Sequence, residues 1–559
     1  MQQKCRQCSA TFEITDDDLA FYDKVSPIFS GKKCPIPPPT LCPDCRQQRR
    51  STWRNEWSFH ARTCSKCNRN IVSVYSDDVP FPVYCIRCWW SDEWDPLEFG
   101  QVYDPSRPFI EQFFEVNNRV PHIMIMNDNG VGSENCEYTQ DFTNGKNCYM
   151  FCGGWYAENC YYCGGNSLRV KFAVDSYFLI ESELCYECLD SRKLYNCHYL
   201  QSCEHCTDCL FGYDLKGCSN CFGCFGLRQK QFHWFNQPLP EKEYRNRLAA
   251  FDTGSFSAIQ SMEAEFRKAI VNLPRKGMNL IHCENCTGDY LFNCKDVCDS
   301  YMLFNAQNSR FCDKGEGQVW CYDILHTGNP QYCYENLTPD NSYMTHFSMW
   351  CWVTKNVLYS DNCQNCEHLF GCTSMKRAKH CILNTQYSPE EYELLCSKII
   401  AKMHESGEWG ELFPPRYSPF GYSETMANDY VPLTEQEIQE HGWNSRSYPN
   451  DGKDGYHANQ LGDSIDDIPK GILTRPLLCT RTGKAFWITK QELDFYQAHR
   501  IPIPRLDPIE RHRDRFHKHN PQRIWNRNCM KCGKEMQTTY SPERPEIVYC
   551  ESCYLAEVY

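Results

Sequence analysis

The sequence predicts a mainly β protein: a parallel β-helix-like solenoid in two halves, flanked by N- and C-terminal treble-clef and zinc-ribbon modules and braced by short helices. Three observations predict it. Small residues recur on a fixed beat through the middle of the chain, paired cysteines with metal-ligand spacing stand at both ends, and the repeated units are rich in Cys, Tyr, Phe, Asn, Ser and Gly rather than in helix formers.

The beat falls at Ser300, Cys312, Cys321, Cys333, Ser342, Cys351, Cys363, Cys372 and Cys381, in steps of 12, 9, 12, 9, 9, 12, 9 and 9 residues. Ser176, Cys185, Cys197, Cys206 and Cys218 repeat the steps 9, 12, 9 and 12. A period near roughly 20 residues is the signature of stacked coils that bury a continuous core. With half a coil per beat, each Cys or Ser enters a narrow interior column, where a free thiol packs as a small hydrophobe. Pairs such as Cys185 and Cys188 are expected on opposite faces of one strand, where they could not hold one ion.

Length and composition agree with several domains. The sequence divides into tandem zinc modules (1–95), a helical linker (96–130), a first solenoid half with capping helices (131–275) and a second with its capping helix (276–405). A linker arm (406–470), a metal-free copy of the first zinc module (471–528) and a zinc ribbon (529–559) follow. The 41 cysteines, a start that runs straight into Cys5, and no apolar run of membrane-spanning length predict a cytoplasmic, non-membrane protein whose thiols bind metal. A net charge of −13 argues against a generic nucleic-acid coat.

Zinc takes four thiolates in a tetrahedron, and two CxxC knuckles supply two each. Cys64/Cys67 and Cys85/Cys88 have ribbon spacing, with a hairpin expected from Ile71–Tyr75 to Val83–Tyr84. Cys5/Cys8 and Cys42/Cys45 are farther apart, and the second pair opens a helix in treble-clef fashion; Cys34 nearby is expected to pack. Cys529/Cys532 and Cys550/Cys553 repeat the ribbon. Upstream, Gly483-Lys484-Ala485-Phe486 and Phe495-Tyr496 echo Ser9-Ala10-Thr11-Phe12 and Phe21-Tyr22. In that copy only Cys479 keeps a ligand; Thr482, Asp507 and Glu510 take the other places, a poor structural zinc set. Three zinc ions are therefore expected, on twelve cysteines.

The solenoid is duplicated too. Pro240-Glu241-Lys242-Glu243-Tyr244 matches Ser388-Pro389-Glu390-Glu391-Tyr392, where Ser388 with Glu391 forms a capping box and Pro389 suits the first helical position. Helices are expected near Glu241–Leu273, Pro389–His404 and Pro105–Asn118. The aromatic cluster Phe413, Tyr417, Phe420 and Tyr422 is expected to lie back on the solenoid.

Tyr84-Cys85 with Trp89-Trp90-Ser91-Asp92, Glu408-Trp409-Gly410-Glu411-Leu412-Phe413-Pro414-Pro415, and Ser418-Pro419-Phe420-Gly421-Tyr422-Ser423-Glu424-Thr425 carry a resemblance over nearly the full chain. They resemble a Cys-rich zinc-ribbon/β-helix family of uncultured small-genome bacteria, and the resemblance implies no activity.

No phosphate-cradling loop, HExxH, nucleophile elbow or dinucleotide fingerprint occurs. The segment from Arg475 to Arg527 carries 12 Lys/Arg against 5 Asp/Glu. Arg46, Arg49 and Arg50 beside the first zinc site, and Arg511, Arg513, Arg515 and Lys518 in the copy, form basic helices with Trp53, Trp57 and Trp525 nearby. They predict phosphate contacts and base stacking with RNA or single-stranded DNA; the alternative is that these arginines pair with solenoid carboxylates. The expected function is a non-catalytic zinc-binding scaffold for RNA or protein. A metal- or thiol-dependent enzyme with its site in the solenoid groove is the rival.

Overall fold

A three-residue rule governs the middle of the chain. In the computed structural model, which describes residues 1–127, 132–446 and 454–559, nearly every third residue from Asn135 to Phe235, and again from His282 to Leu383, has a φ near +50°. Tyr138, Met150, Leu184, Trp320 and Val353 are among them, although left-handed backbone costs an L-residue roughly 1–2 kcal/mol. Ladder hydrogen bonds offset that cost. Asn147 N–H donates to the Glu134 carbonyl at 2.9 Å, and Lys193 N–H to Ile180 at 2.8 Å.

Successive turns pair in parallel. Tyr149 lies beside Tyr161, Cys185 beside Cys197, and Val357 beside Leu369. The ladder therefore advances 12 residues per turn, not roughly 20, and one beat is not half a coil. The steps of 9 and 12 are multiples of three, so every Cys or Ser on the beat falls just after a left-handed residue, in an inward slot. Cys185 and Cys188 consequently both turn inward and are fully buried. The expectation of opposite faces fails because it assumed uninterrupted strand geometry.

The same geometry explains why Cys and Ser interchange. An inward thiol donates to the carbonyl two residues back: Cys333 Sγ reaches Gln331 O at 3.3 Å, and Cys185 Sγ reaches Glu183 O at 3.5 Å. Ser300 Oγ does likewise to Cys298 O at 2.8 Å, and also accepts the Cys312 N–H of the next turn at 3.1 Å. Cys312, Cys333 and Ser342 are buried as expected. Strand outweighs helix, 31% against 24%, and the protein is mainly β.

The described chain falls into two compact units, each assembled from two separated stretches. One joins Met1–Met126 to Asn279–Arg446, the other Asn127–Met278 to Ser447–Tyr559. In the first unit, the ring of Phe21 on the Asp16–Val25 helix stacks on Tyr322 of the ladder with centroids 3.7 Å apart, and Phe109 meets Phe370 edge-on at 5.0 Å. In the second, Tyr496 of the Lys490–Ala498 helix meets Tyr186 at 6.0 Å, and Phe222 stacks on Trp234 at 3.9 Å.

The helices lie where caps permit. Ser388 Oγ accepts the Glu391 N–H at 3.2 Å, opening the Pro389–Ser406 helix, which ends at the left-handed Gly407. The region expected as Glu241–Leu273 divides into Glu241–Ala250 and Phe256–Val271, the second capped by Ser255. The helix expected over Pro105–Asn118 spans Phe109–Asn117. Within the expected linker arm, Trp409, Leu412, Phe413, Phe420 and Tyr422 are buried, while residues 447–453 of that arm lie outside the described residues. The ribbon hairpin also differs from expectation. His60–Thr63 pairs with Asn70–Ser73, and Val83–Tyr84 instead joins His122–Ile123 in parallel. Among the described residues, no helix is long and apolar enough to cross a membrane.

Candidate metal centres and the buried charge networks

Each CxxC pair sits on a turn that brings two sulfurs together. Cys5, Cys8, Cys42 and Cys45 form one cluster, Cys64, Cys67, Cys85 and Cys88 a second, and Cys529, Cys532, Cys550 and Cys553 a third. Within each, all four sulfurs lie inside 4.8 Å of one another. Neighbouring sulfurs from different pairs approach to 3.7 Å (Cys8–Cys42), 3.9 Å (Cys67–Cys85) and 3.8 Å (Cys532–Cys550). A tetrahedron with metal–sulfur bonds of about 2.3 Å has edges of about 3.8 Å, so the donor set fits zinc. Backbone N–H groups support the first sulfur of each set. Cys42 N–H donates to Cys5 Sγ at 3.3 Å, Cys85 N–H to Cys64 Sγ at 3.2 Å, and Cys550 N–H to Cys529 Sγ at 3.2 Å. These twelve cysteines can hold three metal ions. Cys34 is buried near its own loop and belongs to none of the clusters.

The copy at 471–528 keeps the frame of the first cluster with other side chains inside it. Cys479 N–H donates to Lys484 O at 2.9 Å, as Cys5 N–H does to Ala10 O at 2.8 Å. Thr480 N–H reaches Arg505 O at 3.0 Å, as Arg6 N–H reaches Thr40 O at 3.0 Å. Where Cys8 meets Cys42, Thr482 Oγ1 now donates to Asp507 Oδ2 at 3.2 Å. Glu510, in place of Cys45, accepts from Arg481 at 2.9 Å. A hydrogen-bonded cluster holds together what thiolates hold elsewhere.

Five of the basic-helix residues, Arg46, Arg49, Arg50, Arg511 and Arg515, are buried against carboxylates, which argues against phosphate contacts by those five, while Arg513 and Lys518 remain partly exposed. Arg46 (1% exposed) donates to Asp323 at 2.7 Å. Arg49 binds Glu335 at 2.5 Å and Glu411 at 2.9 Å, and Arg50 lies 3.1 Å from Asp323 and 3.3 Å from Glu335. The second unit repeats this. Arg511 pairs with Asp175 and donates to Tyr496 Oη at 3.0 Å. Arg515 meets Asp175 at 3.0 Å and Glu187 at 2.8 Å, Arg513 meets Glu510 at 2.6 Å, and Lys518 lies 3.5 Å from both Glu187 and Glu263. Trp53 and Trp57 are buried. A guanidinium neutralised in the interior offers nothing to a phosphate; for the buried arginines Arg46, Arg49, Arg50, Arg511 and Arg515 pairing with carboxylates is the arrangement present, whereas Arg513 pairs with Glu510 on its own helix. The carboxylates were missed in the sequence, although Tyr186-Glu187 recurring as Tyr334-Glu335 at matching places marks them.

One further buried polar group stands apart from these networks. Asp361 accepts from Asn117 Nδ2 at 3.3 Å, and His122 Nδ1 lies 3.9 Å away. Burial pushes the Asp361 carboxyl up to about 7 and the His122 imidazole down to about 4.

These features define a mainly β protein with three four-cysteine clusters that could each hold a metal ion. Comparison with protein-family models and with curated proteins gives no match. Among solved structures the chain is similar to a "putative acetyltransferase" from Desulfovibrio desulfuricans G20, at 10% identity and a TM-score of 0.11, over 42% of this chain and 65% of that one. The chain thus spans less than two thirds of that protein.

Proposed function

We propose that the protein is a non-catalytic, cytoplasmic scaffold that binds another protein, built from two parallel β-helix-like solenoids stapled by zinc in treble-clef and zinc-ribbon modules. The observation that carries this reading is the fate of the cationic helices. Their buried arginines hold the first four-cysteine module and its metal-free copy to the ladders instead of facing solvent. The tetrathiolate sets support structural metal, since four protein thiolates leave no coordination position for substrate. Two interior thiols, Cys321 and Cys363, support a structural role as well, although hydrogen bonds from Cys203 and Cys209 hold the buried Cys206 thiol down at about 4. Burial and neighbouring thiols push Cys321 and Cys363 well above the ordinary thiol range, away from the thiolate a nucleophile requires.

The test is recovery of the tagged full chain from native lysate, with and without nuclease. A stoichiometric protein that survives nuclease supports the reading. Material released by nuclease, or the chain recovered alone, overturns it.

A further inference from the structure

The two units follow one plan, so a position in one can be compared with its counterpart in the other. In the first unit the chain's own segment 408–417 lies along a cleft between the first four-cysteine module and the ladder. Gly410 N–H donates to Tyr359 Oη at 2.9 Å, and Leu412 N–H donates to Glu335 at 2.9 Å. The Glu411 carboxylate accepts from Arg6 at 2.8 Å, from Arg49 at 2.9 Å, and from the Thr40 hydroxyl. Phe413 is fully buried and stacks on Phe113 with centroids 4.5 Å apart. Gly410 is required: its φ is +93°, and a Cβ there would sit 2.7 Å from Pro37.

The second unit has a related cleft without the segment, in which Thr480 and Asp514 replace Arg6 and Arg49, and Phe211, in place of Tyr359, packs against Phe266 of the Phe256–Val271 helix. Tyr199 stands at the place of Phe347, Glu187 at that of Glu335, Pro502 at that of Pro37 and Arg505 at that of Thr40, and all four line an open cavity of about 810 Å³. In the first unit a smaller pocket of about 440 Å³ is lined by the segment itself, through Glu408, Glu411, Leu412 and Pro414, together with Arg6, Leu41 and Arg49. Phe347 is fully buried under the segment, whereas Tyr199 is only half-buried. The covering strand is missing for a reason visible in the chain. In the first unit the Pro389–Ser406 helix runs on into the segment, but in the second the Glu241–Ala250 helix is followed almost at once by the Phe256–Val271 helix.

The open cleft also differs in charge. Of its lining cations, Arg511 is buried against Asp175, Arg267 pairs with Glu263, Arg481 with Glu510 and Asp514, and Lys518 with Glu187 and Glu263. Arg505 donates to the backbone carbonyls of Leu461 and Gly462 at 3.4 and 2.7 Å, and makes no ion pair among the described residues. Arg505 is thus placed to complement one carboxylate of a ligand.

Resting on the protein-binding reading above, we propose that this cleft docks an extended acidic segment of a partner protein, carrying an aromatic residue and proline, as the first unit docks its own Glu411-Leu412-Phe413-Pro414-Pro415. The partner's backbone N–H would meet Glu187, its carboxylate Arg505, and an aromatic ring in the place of Trp409, which packs on Phe347 with centroids 6.1 Å apart, would meet Tyr199. The probe is a fluorescein-labelled peptide with the sequence of residues 407–417, titrated into the full chain and followed by anisotropy. Saturable one-site binding is expected, weakened at least about tenfold by Arg505→Ala and by Ala264→Trp. Ala264 is exposed on the Phe256–Val271 helix, so its variant blocks the cleft without entering a core; unchanged metal content and melting verify this. Lys268→Glu, outside the cleft, should leave binding intact. Absence of saturable binding, or binding indifferent to Ala264→Trp, overturns the proposal. Concentration-dependent dimerisation abolished by Ala264→Trp would assign the cleft to a second copy and overturn it equally. If wild type and Ala264→Trp recover the same protein from lysate, the cleft proposal falls and the scaffold reading stands; if neither recovers one, both fall.

Discussion

Replacing Glu335 by Gln should expose how much the inward-turned charges hold the first unit together. Glu335 is fully buried and shared by Arg49 at 2.5 Å, Arg50 at 3.3 Å and the Leu412 N–H at 2.9 Å. Gln keeps the shape and one acceptor but removes the charge, leaving Asp323 and Glu411 to face Arg46, Arg49 and Arg50. Removing one partner from a buried network costs about 3–5 kcal/mol. At about 2–4 °C per kcal/mol for a unit of this size, the melting temperature should fall by roughly 6–20 °C. Scanning calorimetry reads the shift, with metal content measured on the same sample. Arg6→Ala removes a largely exposed partner of Glu411 and should cost no more than about 1 kcal/mol. The pH dependence has a definite sign. Burial works to raise the Glu335 carboxyl, yet Arg49, Arg50 and Arg46 hold it below its ordinary value. Its contribution is therefore present above the unfolded value of about 4.3 and is lost as pH falls from there through the folded value. A shift under about 2 °C for Glu335→Gln, with metal retained, would refute the reasoning, because it would mean these charges are solvated.

Four other outcomes are expected. Elemental analysis should give three zinc ions per chain; about one, or clearly more than four, contradicts the assignment. Installing Cys at Thr482, Asp507 and Glu510 together should complete a tetrathiolate with Cys479 and raise the zinc content by one, at some cost from the lost Asp507 helix cap; an unchanged count would show that the copied frame no longer fits metal. Cys333→Arg forces an unpaired charge into a packed slot and should cost more than about 4 kcal/mol, whereas Cys333→Ser, which keeps a donor for Gln331 O, should cost about 1 kcal/mol by denaturant unfolding. Asp361, raised to about 7 by burial, holds its proton longer in the folded state, so stability falls by on the order of 4 kcal/mol as pH rises from the unfolded value of about 3.9 through 7; Asp361→Asn should flatten that part of the denaturation profile.

The metal ligands were legible because the chemistry fixes their spacing: a CxxC knuckle is local, and its partner knuckle lies close in sequence. The duplication was legible for the same reason, with Thr482, Asp507 and Glu510 marking the altered site before any coordinates. The turn length was hidden. Left-handed residues usually announce themselves as Gly or Asn, but here Met150, Leu184, Trp320 and Val353 adopt that backbone, held by the neighbouring turns rather than by their own preference. The basic helices misled for a related reason. A run such as Arg46, Arg49 and Arg50 reads as exposed charge until Asp323 and Glu335 are placed against it, and nothing nearby in sequence names those partners. The open cleft was invisible altogether, since it is defined by a segment that one unit has and the other lacks.

Assembly from separated stretches carries a consequence for the ribosome. Arg46 is 277 residues from Asp323, and Arg49 is 286 from Glu335. At synthesis rates of about 5–20 residues per second, those arginines wait roughly 15–60 s for their carboxylates to emerge. In that interval the nascent N-terminus displays the cationic Pro43–Ser51 helix, with Trp53 and Trp57 just after it, that the finished molecule conceals. Whatever shields it in the cell, a chaperone or the ribosome's own surface, meets a protein electrostatically unlike the mature one, and early truncation products should be the forms that stick to nucleic acid.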